Sequence, residues 1–235
     1  MKSTETPFQL PLHISLRDDA RFANFCATGN ELACNQLQQS ASGEGETFLY
    51  LWGGLGCGCS HLLQASCHLA EPLGRSAAYL PLEELSALGP GVLEGMEHLD
   101  LVCIDHLQHV AGDPAWEEGL FHFFNRIREQ GNTLLIAANA APRQLAINLP
   151  DLASRLSWGV VFQLQPLADE DKLSVLQQRA AARGMTFSDD VARYLLHHAS
   201  RDMKDLSLLI DQLDQASLSA KRKVTIPFVK EVTGL

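Results

Sequence analysis

Between Thr47 and Leu164 the chain alternates short, almost continuously apolar runs with longer segments of mixed polarity. The runs are Phe48–Trp52, Ala77–Leu80, Leu101–Ile104, Leu134–Ala138 and Val160–Leu164. Strands buried on both faces read this way, so the pattern predicts an α/β unit with a parallel five-stranded sheet between helices. Asn30–Gln39 reads as a helix leading into the first strand. After Pro166 the period changes. Asp169–Arg183, Ser188–Ala199, Lys204–Ser219 and Pro227–Val232 all carry helical spacing, with no further strand-like run, which predicts a small all-helical domain. Ser188 and Thr225 read as N-terminal caps and Gly184 as a helix stop. The expected division is a flexible tail over 1–15, an α/β domain over 16–166 and a helical domain over 167–235.

At 235 residues and 46% apolar content the chain has enough material for a sizeable core. No run of about 18 apolar residues and no secretory N-terminus is present, which excludes a membrane span by sequence. The six cysteines fall in predicted helices, a strand and a glycine loop, and this placement points to a reduced, cytoplasmic protein. A formal net charge of −10 repels nucleic acid, so contact with DNA needs a local basic patch or a partner, and the only basic cluster, Lys221-Arg222-Lys223, reads as a solvated loop.

The sharpest motif is Gly53-Gly54-Leu55-Gly56-Cys57-Gly58-Cys59-Ser60, set between a strand and a helical pattern at His61–Leu69. Glycines at 53, 56 and 58 suit a loop that curls tightly and aims backbone N–H groups at phosphate oxygens, assisted by a helix N-terminus. Ser60 takes the position of the magnesium-binding hydroxyl. Cys59 stands where a phosphate loop carries lysine, and a thiol cannot neutralise the β- and γ-phosphates as an ammonium does. Two other readings stay open: a plain glycine turn, and metal or redox chemistry by Cys57, Cys59, His61 and the Cys67-His68 pair. The cysteine spacing is not that of a structural zinc site.

Leu101-Val102-Cys103-Ile104-Asp105 is an apolar strand ending in a carboxylate, which in a nucleotide site holds magnesium through its water shell. The following position, commonly acidic, is His106. Asn139 ends the strand Leu134–Ala138, where an amide could sense a γ-phosphate; a strand-ending turn is the other reading. Arg155 precedes the last strand, where an arginine can reach a neighbouring subunit's nucleotide; a surface ion pair is the alternative.

Together these residues resemble the AAA+ domain of the DnaA family of bacterial replication initiators, and the resemblance spans nearly the whole chain. GGLGCGCSH is similar to the family's phosphate loop except at Cys59, and VCIDHLQHVAG to its Walker B strand. Phe25 through Leu32, including Cys26, is similar to the segment lining the adenine. LPDLASRLSWG resembles the arginine-finger segment, DMKDLSLLIDQLD the sensor 2 helix with Lys204 in place of arginine, and TIPFVKEV the end of the lid. The resemblance implies nucleotide contacts from Phe25, Cys26, the loop residues 53–60, His61, Asp105 and Lys204, with Mg2+ at Ser60 and Asp105. Family initiators continue into a DNA-reading helix-turn-helix, whereas this sequence ends at Leu235, so a regulator without its own duplex reader is expected. Gln9-Leu10-Pro11-Leu12 resembles the peptide by which relatives dock on the DNA polymerase III β sliding clamp.

The resulting expectation is a non-enzymatic, ADP-bound regulator that uses Arg155 to stimulate ATP hydrolysis by DnaA at the clamp. The site's own turnover is expected to fail for want of a lysine at 59 and an acid at 106. Two alternatives stand beside it. One is an autonomous ATPase using Lys204, and the other an adaptor that only tethers DnaA to the clamp. Nucleotides at subunit interfaces in AAA+ relatives also imply a homodimer as one form of assembly.

Overall fold

The computed structural model describes residues 15–199 and 203–234, with side chains of residues 203 and 204 outside the description. The clamp-type segment Gln9–Leu12 lies outside the described residues. Helix α1 (Glu31–Ser42) leads into strand β1 (Phe48–Trp52) and helix α2 (Cys59–Ala70). Then β2 (Ala77–Pro81), the short α3 (Leu82–Leu85), β3 (Leu101–Asp105), α4 (Pro114–Glu129), β4 (Thr133–Ala138), α5 (Pro150–Leu156) and β5 (Val160–Gln163) follow. All five strands are parallel, in the order β2-β3-β4-β1-β5. β4 thus lies between the strand that feeds the glycine loop and the strand that ends in Asp105.

The period of two along each strand divides the core. Phe48, Tyr50, Val102, Ile104, Leu134 and Ile136 face one side, against Phe123, Phe124 and Leu120 of α4 and Leu152 and Leu156 of α5. Leu49, Leu51, Leu101, Cys103, Leu135 and Ala137 face the other, against α1 and α2. α4 starts where Pro114 needs no amide partner and Asp113 accepts from the Ala115 and Trp116 amides.

β5 departs from the expectation of a strand buried on both faces. It pairs only with β1, and Val160 and Val161 are 36% and 37% exposed. An apolar run marks a strand but does not say whether a helix covers it, and β5 is an edge.

Four helices make the second domain: α6 (Asp169–Ala182), α7 (Asp189–His198), α8 (Met203–Ala220) and α9 (Ile226–Thr233). They enclose their own core of Leu176, Val191, Leu195, Ile210, Leu213 and Phe228, among others. Ser188 caps α7 through the Val191 amide and Thr225 caps α9 through the Phe228 amide, while Gly184, at φ 76°, ends the turn after α6. Within the α/β domain, Asn30 ties the start of α1 to the segment that follows β5. Its side chain donates to Gln165 O at 3.0 Å and accepts from Gln165 N at 2.8 Å, so the residue opening α1 is spent on the segment after β5 rather than on its own helix.

Candidate nucleotide site

At the carboxyl ends of β1, β3 and β4 a cleft of about 830 Å³ opens between the sheet and α6 of the lid. Its floor is the loop Gly53–Ser60. Gly56 and Gly58 adopt φ of 74° and 101°, conformations that side chains rarely allow. A Cβ on Gly58 would lie 2.5 Å from Phe25 Cε2, and one on Gly53 would lie 2.5 Å from Cys57 Sγ. The loop therefore closes against Phe25 and Cys57 only as bare backbone at 53 and 58, and α2 begins directly behind it with Cys59. These residues fit the phosphates of a nucleotide, because the cradle exists only if side chains are absent from it.

Phe25 and Cys26 line the cleft, and the Phe25 ring lies 5.5 Å from that of His61. His61 itself is buried and its Nε2 meets Arg21 O at 2.9 Å; burial lowers its pKa to about 4, so the ring is neutral and Nε2–H donates. His61 thus braces the wall rather than offering a charge.

The two loop thiols meet, with Cys57 Sγ and Cys59 Sγ 3.5 Å apart. The hydrogen bond from Cys59 draws the Cys57 thiol down to about 7 against the opposing effect of burial, while that bond and burial hold Cys59 above its usual range. The other members of the metal or redox reading do not join them. His61 is turned to Arg21, Cys67 lies against Cys103, and no metal-type cluster among the described residues includes these cysteines.

Asp105 is 2% exposed, which removes the reading of a solvated strand tip. Its Oδ2 accepts from Tyr79 OH at 2.6 Å and its Oδ1 from the His106 amide at 2.8 Å. Burial and the Asp105 carboxylate both push the Tyr79 phenol up, so it stays a donor. Ser60 Oγ lies 3.4 Å from His106 Nε2. Ser60 and Asp105 thus stand on one side of the cleft, as a magnesium ion held jointly with phosphate oxygens requires. Asn139 lines the same floor just past β4, its backbone N–H donating to Gln108 Oε1 at 3.2 Å.

Arg155 lies in α5, away from the cleft, with no hydrogen bond or ion pair to its guanidinium among the described residues. Among the described residues it therefore makes no surface ion pair. The side chain of Lys204 lies outside the described residues. Sequence reasoning missed the cations that do line the cleft, Arg17 and Arg179. Arg179 reaches from α6, hydrogen-bonds Ser207 on α8, and has its pKa lowered mainly by burial. Its only signal in the sequence was its place on a helix facing a site built elsewhere.

A glycine cradle on β1, a buried carboxylate two strands away, an amide on the strand between and a helical lid define a P-loop protein of the AAA+ class. Family models agree in both parts of the chain: residues 92–163 match the bacterial DnaA ATPase domain, and residues 169–233 match the lid domain of Hda. Over these residues the chain matches DnaA-related AAA+ proteins, with a lid of the Hda type.

Solved structures carry the same fold. Domain III of the Thermotoga maritima replication initiation protein DnaA superposes with a TM-score of 0.80 at 23% identity, over 94% of this chain and 98% of that one. AMPPCP-bound DnaA from Aquifex aeolicus gives 0.72 at 19% identity, over 88% of this chain and 68% of that one. The Thermotoga maritima RuvB Holliday junction branch migration motor gives 0.66 at 14% identity, over 89% of this chain and 69% of that one. Among the described residues no helix is long and apolar enough to cross a membrane.

Proposed function

We propose that this protein is a nucleotide-bound regulator of replication initiation that stimulates ATP hydrolysis by DnaA through Arg155 while docked on the sliding clamp through Gln9, Leu10, Pro11 and Leu12. One observation carries the reading. The backbone cradle is intact while the charged groups that drive turnover are replaced, lysine by Cys59 and the second acid by His106. A site built to hold but not to hydrolyse suits ADP as a structural ligand, since the missing ammonium weakens a triphosphate more than a diphosphate. The loop amides would hold the phosphates, Phe25 and Cys26 would flank the base, and Ser60 and Asp105 would hold Mg2+, which supplies charge neutralisation when bound. The structural neighbour solved with AMPPCP supports a nucleotide in this cleft. Arg155, without a side-chain partner among the described residues and outside the chain's own cleft, suits a partner's phosphates.

The test is phosphate release from ATP-loaded DnaA in the presence of clamp loaded on DNA. This protein is expected to accelerate release, and Arg155→Ala to remove the acceleration by orders of magnitude while clamp binding persists. Gln9→Ala with Leu10→Ala should lose clamp binding without unfolding the chain. Stimulation that survives Arg155→Ala would leave only a tether.

A second reading rests on Arg179. A half-buried arginine lining the cleft from the lid would stand in for the absent ammonium and make the protein an ATPase in its own right. Turnover by the isolated protein that is lost in Arg179→Ala would favour it.

A further inference from the structure

We infer that Glu83, His106 and His109 form a binding site for a divalent transition-metal ion of the zinc class at the rim of the cleft. The three side chains come from two elements that the sheet brings together. Glu83 sits in α3 after β2, and the two histidines in the turn after β3. Their donor atoms all lie within 4.8 Å of one another. His106 Nε2 is 3.7 Å from Glu83 Oε2, and the two imidazoles stand edge to face with centroids 5.9 Å apart. Ligands around a tetrahedral zinc at about 2.0–2.2 Å lie roughly 3.5 Å apart, so closing the site asks for movements of about 1 Å. Glu83 and His109 are exposed side chains with rotamer freedom to make them.

Two features mark the cluster as built for a cation. His106 holds a left-handed backbone, φ 58°, shared among non-glycine residues of the described chain only by Lys221. In that conformation its Nε2 faces three oxygens at once: Ser60 Oγ at 3.4 Å, Asp105 Oδ2 at 3.5 Å and Glu83 Oε2 at 3.7 Å. One N–H cannot serve three acceptors at such lengths. The second feature is charge. Glu83, Glu84 and Asp105 line the same cleft as the phosphate cradle. A bare carboxylate at its rim opposes a phosphate, whereas Glu83 with a divalent ion carries a net single positive charge, that of the ammonium missing at position 59.

The donor set decides the ion. Two imidazoles and one carboxylate suit Zn2+, Co2+ or Ni2+ and disfavour Mg2+ and Ca2+, which take oxygen ligands. Three protein ligands leave a position open to water or to a phosphate oxygen. The charge argument rests on the nucleotide reading above, whereas the donor geometry does not, and metal binding is measured without nucleotide.

Chelator-treated full-length protein titrated with Co2+ should bind one equivalent, with visible absorption bands that added Zn2+ erases and millimolar Mg2+ does not. His109→Ala and Glu83→Gln should each weaken binding at least tenfold, and His106→Ala should abolish the bands. His109→Ala, at an exposed position, should unfold at the wild-type temperature in metal-free buffer, separating loss of ligand from loss of fold. Cys57→Ser with Cys59→Ser should leave the bands unchanged. The proposal is overturned if no stoichiometric metal binds, if binding survives His106→Ala and His109→Ala, or if it is lost with the two cysteines. ADP titration in Mg2+ alone reports on the nucleotide reading independently.

Discussion

Adding a single methyl group at Gly58 tests the cradle directly. Its Cβ would meet Phe25 Cε2 at 2.5 Å on a backbone at φ 101°, so Gly58→Ala is expected to cost about 1–3 kcal/mol and to abolish ADP binding in calorimetry. Cys59→Lys should act in the opposite sense, tightening ATP relative to ADP by about tenfold or more as the ammonium returns to the loop. His61 sets a pH dependence. Its folded pKa of about 4 lies below the ordinary value of 6.5, so the unfolded chain takes up a proton first as pH falls. The stability it protects is present above pH 6.5 and is lost progressively down to about pH 4, at about 1.4 kcal/mol per pH unit. Thermal unfolding of His61→Gln should fall less steeply than wild type across that window. The sequence announced the loop at this scale, because glycine spacing and the residues around it are local. It did not announce that His61 is a brace, since that depends on Arg21 O arriving from 40 positions away.

Between elements, one buried carboxylate holds the Arg155 helix in place. Glu117, in α4 and 2% exposed, accepts from the amides of Gly112, Asn148 and Leu149. Leu149 is the residue before α5, so α4 grips the start of the helix that carries Arg155. Glu117→Ala leaves three amides without their acceptor and is expected to destabilise the protein by about 3 kcal/mol in denaturant unfolding, with stimulation of DnaA falling alongside. The strands were legible within a residue at most ends because each is a contiguous apolar run. The caps at Ser188 and Thr225 were legible because capping is local chemistry. Glu117 was not, because a glutamate in an amphipathic helix reads as a solvated face until the chain about 30 residues later folds over it. Likewise the apolar composition of β5 gave no sign that a sheet would end there.

At the scale of the whole molecule, the lid and the sheet share a cleft, and Arg179 faces that cleft from the lid. A ligand bound only by the folded protein at about 100 times its Kd adds about 2.7 kcal/mol of stability. That increment should appear as a rise in unfolding temperature with ADP in the wild type and should shrink in Arg179→Ala. The two-domain order was legible from the change of period near Pro166, but the contact between domains was not. Phe25 and the glycine loop on one side of the cleft and Val175 and Arg179 on the other carry no pattern that joins them. The open flank at β5 has a bearing on how the protein behaves in a tube. Val160, Val161 and the neighbouring Trp158 present an apolar, unpaired border, and ten excess negative charges keep copies apart at low ionic strength. Concentrated salt screens that repulsion while leaving the border sticky. Light scattering should therefore report self-association as sodium chloride rises, and a lysine in place of Val161 should suppress it.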